Sequence, residues 1–322
     1  MPAPTTDVRV RPDLAQSMME LPLEMAGKPI APLLFPVVEV DESDGTQGVI
    51  PVEEFLTITG GARTGEGGYA RSRMQFEDQS WATEENGGEG VIDERKKHKY
   101  KNYFNHETIV ARLERHKAHL RREKRCADIA NNTSNYSGQT TAAGTVWTNH
   151  SAAVPVDNVE TAVQAVYDRT GIAPNTLWMS WKRFRDLRLC DQIKEAIQSA
   201  GAGSPSKATD VTIEMLSAVF DLPYILVGDM PYNSANAGQA KSISSLWSNT
   251  SAGVAYIDHS GSVEMPTHFR MYHWGEDGST FDGLVEDYYE TDKRQHIIRV
   301  RQDTDEKQVI AELGQLITGI AS

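Results

Sequence analysis

The stretch TGIAPNTLWMSWKRFRDL, Thr170 to Leu187, carries the reading of this chain. A Thr-Gly pair closes a helix, Pro174 forbids its continuation, and TLWMS is an apolar run of strand length. Ser180 then stands where a helix needs an N-cap. Upstream, DNVETAVQAVYDRTG places Val159, Ala162, Val163 and Val166 at helical spacing, with Asp157 or Asn158 as the cap and Gly171 as the end. Downstream, WKRFRDLRLCDQIKEAI reads as the helix that Ser180 opens.

The unit recurs farther on. TDVTIEMLSAVFDL reads as a capped helix, PYILVG as a strand and DMPYNSANAG as a polar loop, while SLWSNTSAGVAYID and HFRMYHWG supply more strand. The last section, QHIIRVRQDTDEKQVIAELGQLI, predicts a strand, a charged turn, and a closing strand or short helix.

Toward the N-terminus the pattern changes. Met1 to Pro36 is proline-rich and without a sustained period, an arm that needs a neighbour to pack against, with a short helix in LAQSMMELPLEMAG. LFPVVEV and GVIPVEEFLTI read as strands, and DESDGTQG, TGGARTGEGG and TEENGGEG as hairpin or loop signals. From Asn105, a potential cap, a helix runs to about Cys126, its apolar stripe being Ile109, Leu113, Ala118 and Leu120 and the rest of its surface charged. NNTSNYSGQTTAAGT reads as a loop.

The 322 residues are enough for a substantial core and more than one lobe, although hydrophobic residues make up only 39%. A net charge of −13 argues against a protein that draws in nucleic acid with its whole surface. Two cysteines, Cys126 and Cys190, make no disulfide framework, which points to a reducing compartment. There is no signal-peptide core at the N-terminus, and PLLFPVV is too short to cross a bilayer, so a soluble cytoplasmic protein is expected.

Catalytic and ligand motifs are missing. GARTGEGGYA lacks the Gly-Lys-Ser/Thr ending of a phosphate loop, HETIV lacks the second histidine of the zinc motif, and DESDG lacks calcium-loop spacing. His116 and His119 read as surface histidines on a basic helix, and neither cysteine has a nucleophile's partners. Trp178, Trp181, Tyr224, Trp247, Tyr256 and Trp274 read as core and interface anchors. No catalytic residue, cofactor, metal, membrane or small-molecule substrate is expected, and the chain does not read as an enzyme.

The order of these elements resembles the major capsid proteins of tailed bacteriophages, the Hong Kong 97-type fold. The resemblance is carried by LFPVVEV leading into an acidic, glycine-rich loop, by the charged helix from Asn105, by VETAVQAVYDRTGIAPNTLWMSWKRFRDL, and by VTIEMLSAVFDLPYILVGDMPYNSA with LWSNTSAGVAYI after it. It covers most of the chain from Phe35 onward. It implies an α+β fold with an N-terminal arm (1–34) and an extended loop with flanking peripheral strands (35–104). A spine helix and peripheral domain (105–156), an axial domain (157–282) and a return to the peripheral domain (283–322) would follow. It also implies a structural protein that self-assembles into hexamers and pentamers, forming an icosahedral head around double-stranded DNA. The expected place is the virion, after assembly in the host bacterial cytoplasm, with a scaffolding protein, a portal, a decoration protein and non-specifically held DNA as further partners. An encapsulin-like shell around a cargo enzyme shares the fold and is the alternative. An α/β enzyme would need a phosphate loop or paired catalytic groups, which the sequence lacks.

In such capsids the loop lies across a neighbouring subunit, and the charges here suit that contact. Between Glu39 and Glu94 the acids are balanced only by Arg63, Arg71 and Arg73, whereas Arg95 to Arg125 is strongly basic. Glu53, Glu54, Glu66 and Arg63 of the loop are therefore expected to meet Arg112, Arg115, Lys117, Arg121 and Arg122 of the helix between subunits, setting register and partner choice. Contact of the helix with packaged DNA, or a solvated helix face with no fixed partner, are the other readings. No lysine lies between Lys28 and Lys96, so the loop offers no amine for the isopeptide crosslink that some relatives form.

Overall fold

Thr176–Ser180 is a strand in which all five residues are buried. It lies inside a five-stranded sheet whose order is Thr140–Ala142, Gly314–Thr318, Ser251–Ala255, Thr176–Ser180 and Tyr224–Gly228. A computed structural model describes residues 9–10, 29–62, 67, 69, 71, 73, 77–100, 106–199, 207, 210–236, 238–262, 265–275 and 278–321. One face of the sheet carries Leu177, Met179, Val254 and Ile317 against the helices Pro155–Thr170, Trp181–Leu187, Asp191–Ser199 and Ile213–Phe220. The other face carries Trp178, Leu226, Ala255 and Leu316 against the end of the long helix His106–Ala130. A sheet covered on both faces needs continuous apolar strands rather than alternating ones, which is how TLWMS and SAGVA read.

Glycine sets the spacing within this layer. A Cβ at Gly253 would fall 2.2 Å from the Trp178 ring and one at Gly228 would fall 2.1 Å from Trp247, so each indole lies directly on bare backbone.

Helix ends follow local chemistry, with two departures from the sequence reading. Gly171 adopts φ 69° and donates its N–H to Tyr167 O, Ser180 Oγ accepts from Arg183 N, and Thr212 caps Ile213–Phe220. Neither Asp157 nor Asn158 is a cap: the helix starts at Pro155, a residue that has no N–H to satisfy. Asn158 is instead buried, bridging Trp147 Nε1 and Ala143 O. The helix that Ser180 opens stops at Leu187 and a second begins at Asp191, with Cys190 buried at the break.

A second sheet has the order Arg9–Val10, Leu284–Glu290, Gln295–Gln308, Phe269–Trp274, Val37–Val40, and Glu84–Asp93 also pairs with Gln295–Gln308. Phe269 joins the two sheets, stacking on Phe35 at 4.3 Å and meeting Trp178 edge-on at 5.7 Å. Here the sequence reading needs more correction. VEEFL is a helix, Val52–Leu56, rather than strand. DESDGTQG and TEENGGEG, read as hairpin or loop signals, largely belong to the strands Asp44–Val49 and Glu84–Asp93. The charged turn expected in DTDEK does not exist, because Gln295–Gln308 runs through it as one strand of 14 residues. NNTSNYSGQTTAAGT holds a 3-10 turn, Thr133–Tyr136, and the short edge strand Thr140–Ala142. The expected cap Asn105 and the expected helix in LAQSMMELPLEMAG lie outside the described residues.

Candidate assembly surface

The long helix His106–Ala130 buries small and polar residues, and of the apolar stripe expected of it only Ala118 and Leu120 turn inward. Ala111, Ala118, Cys126, Ala127 and Ala130 are its buried apolar positions, while Ile109 and Leu113 are 45% and 49% exposed. The approach is close because the strand beneath is glycine-rich. A Cβ at Gly90 would lie 2.2 Å from Val110 Cγ1, and one at Gly88 would lie 2.8 Å from Arg121 Nη2. The glycines read as loop signals are thus the seat of the helix.

The polar residues on the inner face are matched inside the chain. Glu123 accepts from Ile30 N, Ala31 N and Trp247 Nε1 at 2.9, 3.0 and 2.8 Å, so a carboxylate on the long helix caps the turn Ala31–Leu34. Burial raises its pKa, against the opposing pull of those donors. Arg122 donates to Phe281 O and His119 Nδ1 and lies 4.0 Å over the Phe281 ring. His119 is buried rather than on the surface; burial, with the charges of Arg122 and Arg115 behind it, takes its pKa down to about 4. Arg125 makes a two-pronged pair with Glu306 at 2.8 and 2.7 Å, which explains how that acid of DTDEK enters a strand.

The predicted contact residues therefore divide. Arg122 is 2% exposed and used within the subunit. Arg115 reaches Asp282 at 3.3 Å and Lys117 reaches Glu114 at 2.6 Å. Arg121 and Glu114 both lie over Gly88. Arg112 and His116 are half-buried, and their Nε and Nδ1 atoms have no hydrogen-bond partner. Glu54 sits half-buried on the helix Val52–Leu56. Arg63, Glu66 and the side chain of Glu53 lie outside the described residues. No pair between these loop acids and the helix cations occurs within the chain among the described residues. Among the described residues, loop acids pair at or just before the long strand: Glu89 with Arg299 at 2.8 Å and Glu94 with Arg294, in the turn ahead of it, at 2.9 Å. The hydrogen bond from Arg299 holds the Glu89 carboxyl below the usual carboxylate range.

The loop itself is a two-stranded antiparallel ribbon, Asp44–Val49 with Glu77–Ala82. Its base is fixed firmly. Trp81 stacks on Tyr272 at 5.3 Å, Asp305 Oδ2 accepts from Ala82 N at 2.9 Å, and Lys307 Nζ donates to Ser80 O at 2.6 Å. Beyond that base no third strand joins the ribbon among the described residues, and the nearby Leu56 and Ile58 are 54% and 99% exposed. A lone ribbon is marginal in water, so this one needs a surface to lie on. Of the aromatic anchors, Trp178 and Trp247 are core, while Trp181 and Tyr224 are 45% and 44% exposed. No described helix is long and apolar enough to cross a membrane.

No family model matches the chain. The major capsid protein of Burkholderia phage BcepMu is 30% identical over 115 residues, which is 35% of this chain and 36% of that protein, so the match spans about a third of the curated relative. A phage-related protein from Bordetella bronchiseptica RB50 superposes with a TM-score of 0.70 at 21% identity, covering 98% of each chain. The capsid of cyanophage P-SCSP1u gives 0.60 at 8% identity over 94% of this chain and 91% of that one. The SrpI encapsulin of Synechococcus elongatus gives 0.51 at 10% identity over 97% and 96%.

Proposed function

We propose that this chain, whose fold is the Hong Kong 97-type fold of phage capsids, is the major capsid protein of a tailed phage. In this reading it assembles into hexamers and pentamers that close into an icosahedral head around double-stranded DNA. The observation that carries the proposal is the ribbon Asp44–Val49 with Glu77–Ala82, rigidly rooted and then joined by no third strand among the described residues. A neighbour supplies the missing surface. The segments then take the roles of arm (1–34), extended loop (35–104), spine helix and peripheral domain (105–156), axial domain (157–282) and peripheral return (283–322). The subunit reaches the virion after assembly in the host cytoplasm, and scaffold, portal and decoration proteins are its further partners.

The contact between acidic loop and basic helix belongs to this proposal in reduced form. Arg122 is spent inside the subunit and Lys117 also holds Glu114, so Arg112 and Lys117, with Arg115 and Arg121 at the margin, face the acidic loop of a neighbour, Glu53, Glu54 and Glu66 among its acids. Exposed pairs of this kind contribute about 0–1 kcal/mol each, but a shell repeats them at every interface. Raising the salt concentration from about 0.1 to 1 M shortens the Debye length from about 10 to 3 Å, so shells should dissociate at a lower denaturant concentration. Shells indifferent to salt would remove the charge contact from the account.

The likeness to the encapsulin supports a second reading, a compartment that encloses an enzyme. Particles isolated from the native source decide between them. Nucleic acid inside favours the head; a co-purifying enzyme favours the compartment.

A further inference from the structure

Two surfaces of this chain are complementary to each other. The first is a cleft of about 290 Å³ between the root of the ribbon and the connection into the last strand. Its walls are Ile50 and Val52 on one side and Val309 and Ile310 on the other, and its rim carries Asp78 and Glu312. Asp78 and Glu312 form no ion pair among the described residues. The cleft is at the small end of ligand-sized pockets, and its acidic rim repels phosphates and carboxylates. Its occupant must be apolar at the tip and cationic at the flanks.

The second surface has that composition. Ile109 and Leu113 stand one helical turn apart on the outer face of the long helix, both about half exposed. Arg112, His116 and Lys117 flank them, and the Lys117 side chain stays 47% exposed while it holds Glu114 at 2.6 Å. Scattered apolar residues on a surface need no explanation, but a pair bordered by three basic side chains on one helix face does.

We infer that Ile109 and Leu113 of one copy of this chain insert into the cleft between Val52 and Ile310 of a second copy, with Arg112 and Lys117 meeting Asp78 and Glu312 across the rim. The inference rests on the self-assembly reading above and deepens it. The two surfaces differ, so the contact is heterologous, and each copy offers one half to each of two neighbours. Such a contact propagates head to tail until it closes into a ring. Apolar burial gives the joint its strength, and the charged rim sets its register.

Mixing two defective full-length variants tests this. Ile109→Asp with Leu113→Asp removes the insert, and Asp78→Lys with Glu312→Lys reverses the rim. All four positions are exposed or half-exposed, so each variant keeps its core. In sedimentation velocity the wild type should form large assemblies, each variant alone should remain a monomer, and an equimolar mixture should form dimers and nothing larger. The dimer arises because one intact cleft and one intact insert remain in the mixture, and its appearance proves both variants folded. Variants that assemble like the wild type, or a mixture that stays monomeric, would overturn the inference while leaving self-assembly standing. A wild type that is monomeric at every concentration would overturn the self-assembly reading as well.

Discussion

A side chain at Gly90 would put its Cβ 2.2 Å from Val110, so the distance between the long helix and its sheet is fixed by what is absent from that position. Gly90→Val should therefore lower stability to urea by about 1–3 kcal/mol, the usual cost of overpacking. Gly61→Ala, which meets no atom within 4 Å, should change it little. Two buried histidines set a pH dependence. Burial takes both His119 and His268 down to about 4, and His268 donates from Nδ1 to Ile310 O at 2.7 Å. Because these pKa values lie below the unfolded value of about 6.5, the unfolded chain binds more protons between them. Stability is thus complete above about pH 6.5 and is lost as the pH falls toward 4, by up to about 1.4 kcal/mol per pH unit for each histidine. Denaturation curves between pH 4.5 and 7.5 should show that slope, and His119→Gln should flatten it by about one proton. An unchanged slope would mean that His119 is charged in the folded state.

At the scale of elements, legibility in the sequence tracked how each segment buries its surface. Thr176–Ser180 and the helices around it announce themselves because strand and helix are apolar where they face the core and are ended by Gly171, Ser180 and Thr212. The strands Glu84–Asp93 and Gln295–Gln308 do so only in part, since beside Ile92, Ile297, Ile298 and Val300 their buried positions include Gly90 under a helix and Glu306 held by Arg125. No single-chain periodicity marks a residue whose partner lies some 180 positions away, as Glu306 is from Arg125. The same blindness reversed Ile109 and Leu113, whose helical spacing reads equally well as core or as a face awaiting a neighbour. Of the predicted contact residues, Arg122 went to the interior for want of any sequence sign that Phe281 and His119 would receive it. The ribbon carries a prediction at this scale. In unassembled subunits, backbone amides of Asp44–Val49 and Glu77–Ala82 should exchange within seconds away from the Trp81–Tyr272 root. They should become protected once particles form, and equal exchange in both states would show that no neighbour covers the ribbon.

For the whole molecule, a net charge of −13 with both an acidic cleft and a basic helix face suits the proposed joining of copies of this chain. The joints are expected to carry no isopeptide crosslink through the loop, because no lysine lies between Lys28 and Lys96. Assembled particles heated in denaturing detergent should run as a single band near 35.7 kDa, and a ladder of multimers would contradict this. The most direct measurement of the central claim is negative-stain electron microscopy of the fastest-sedimenting fraction of the purified full-length chain. Closed, uniform shells built of rings of five and six are the result expected from this account. A protein that stays a monomer at all concentrations, without rings or shells in any fraction, would contradict it.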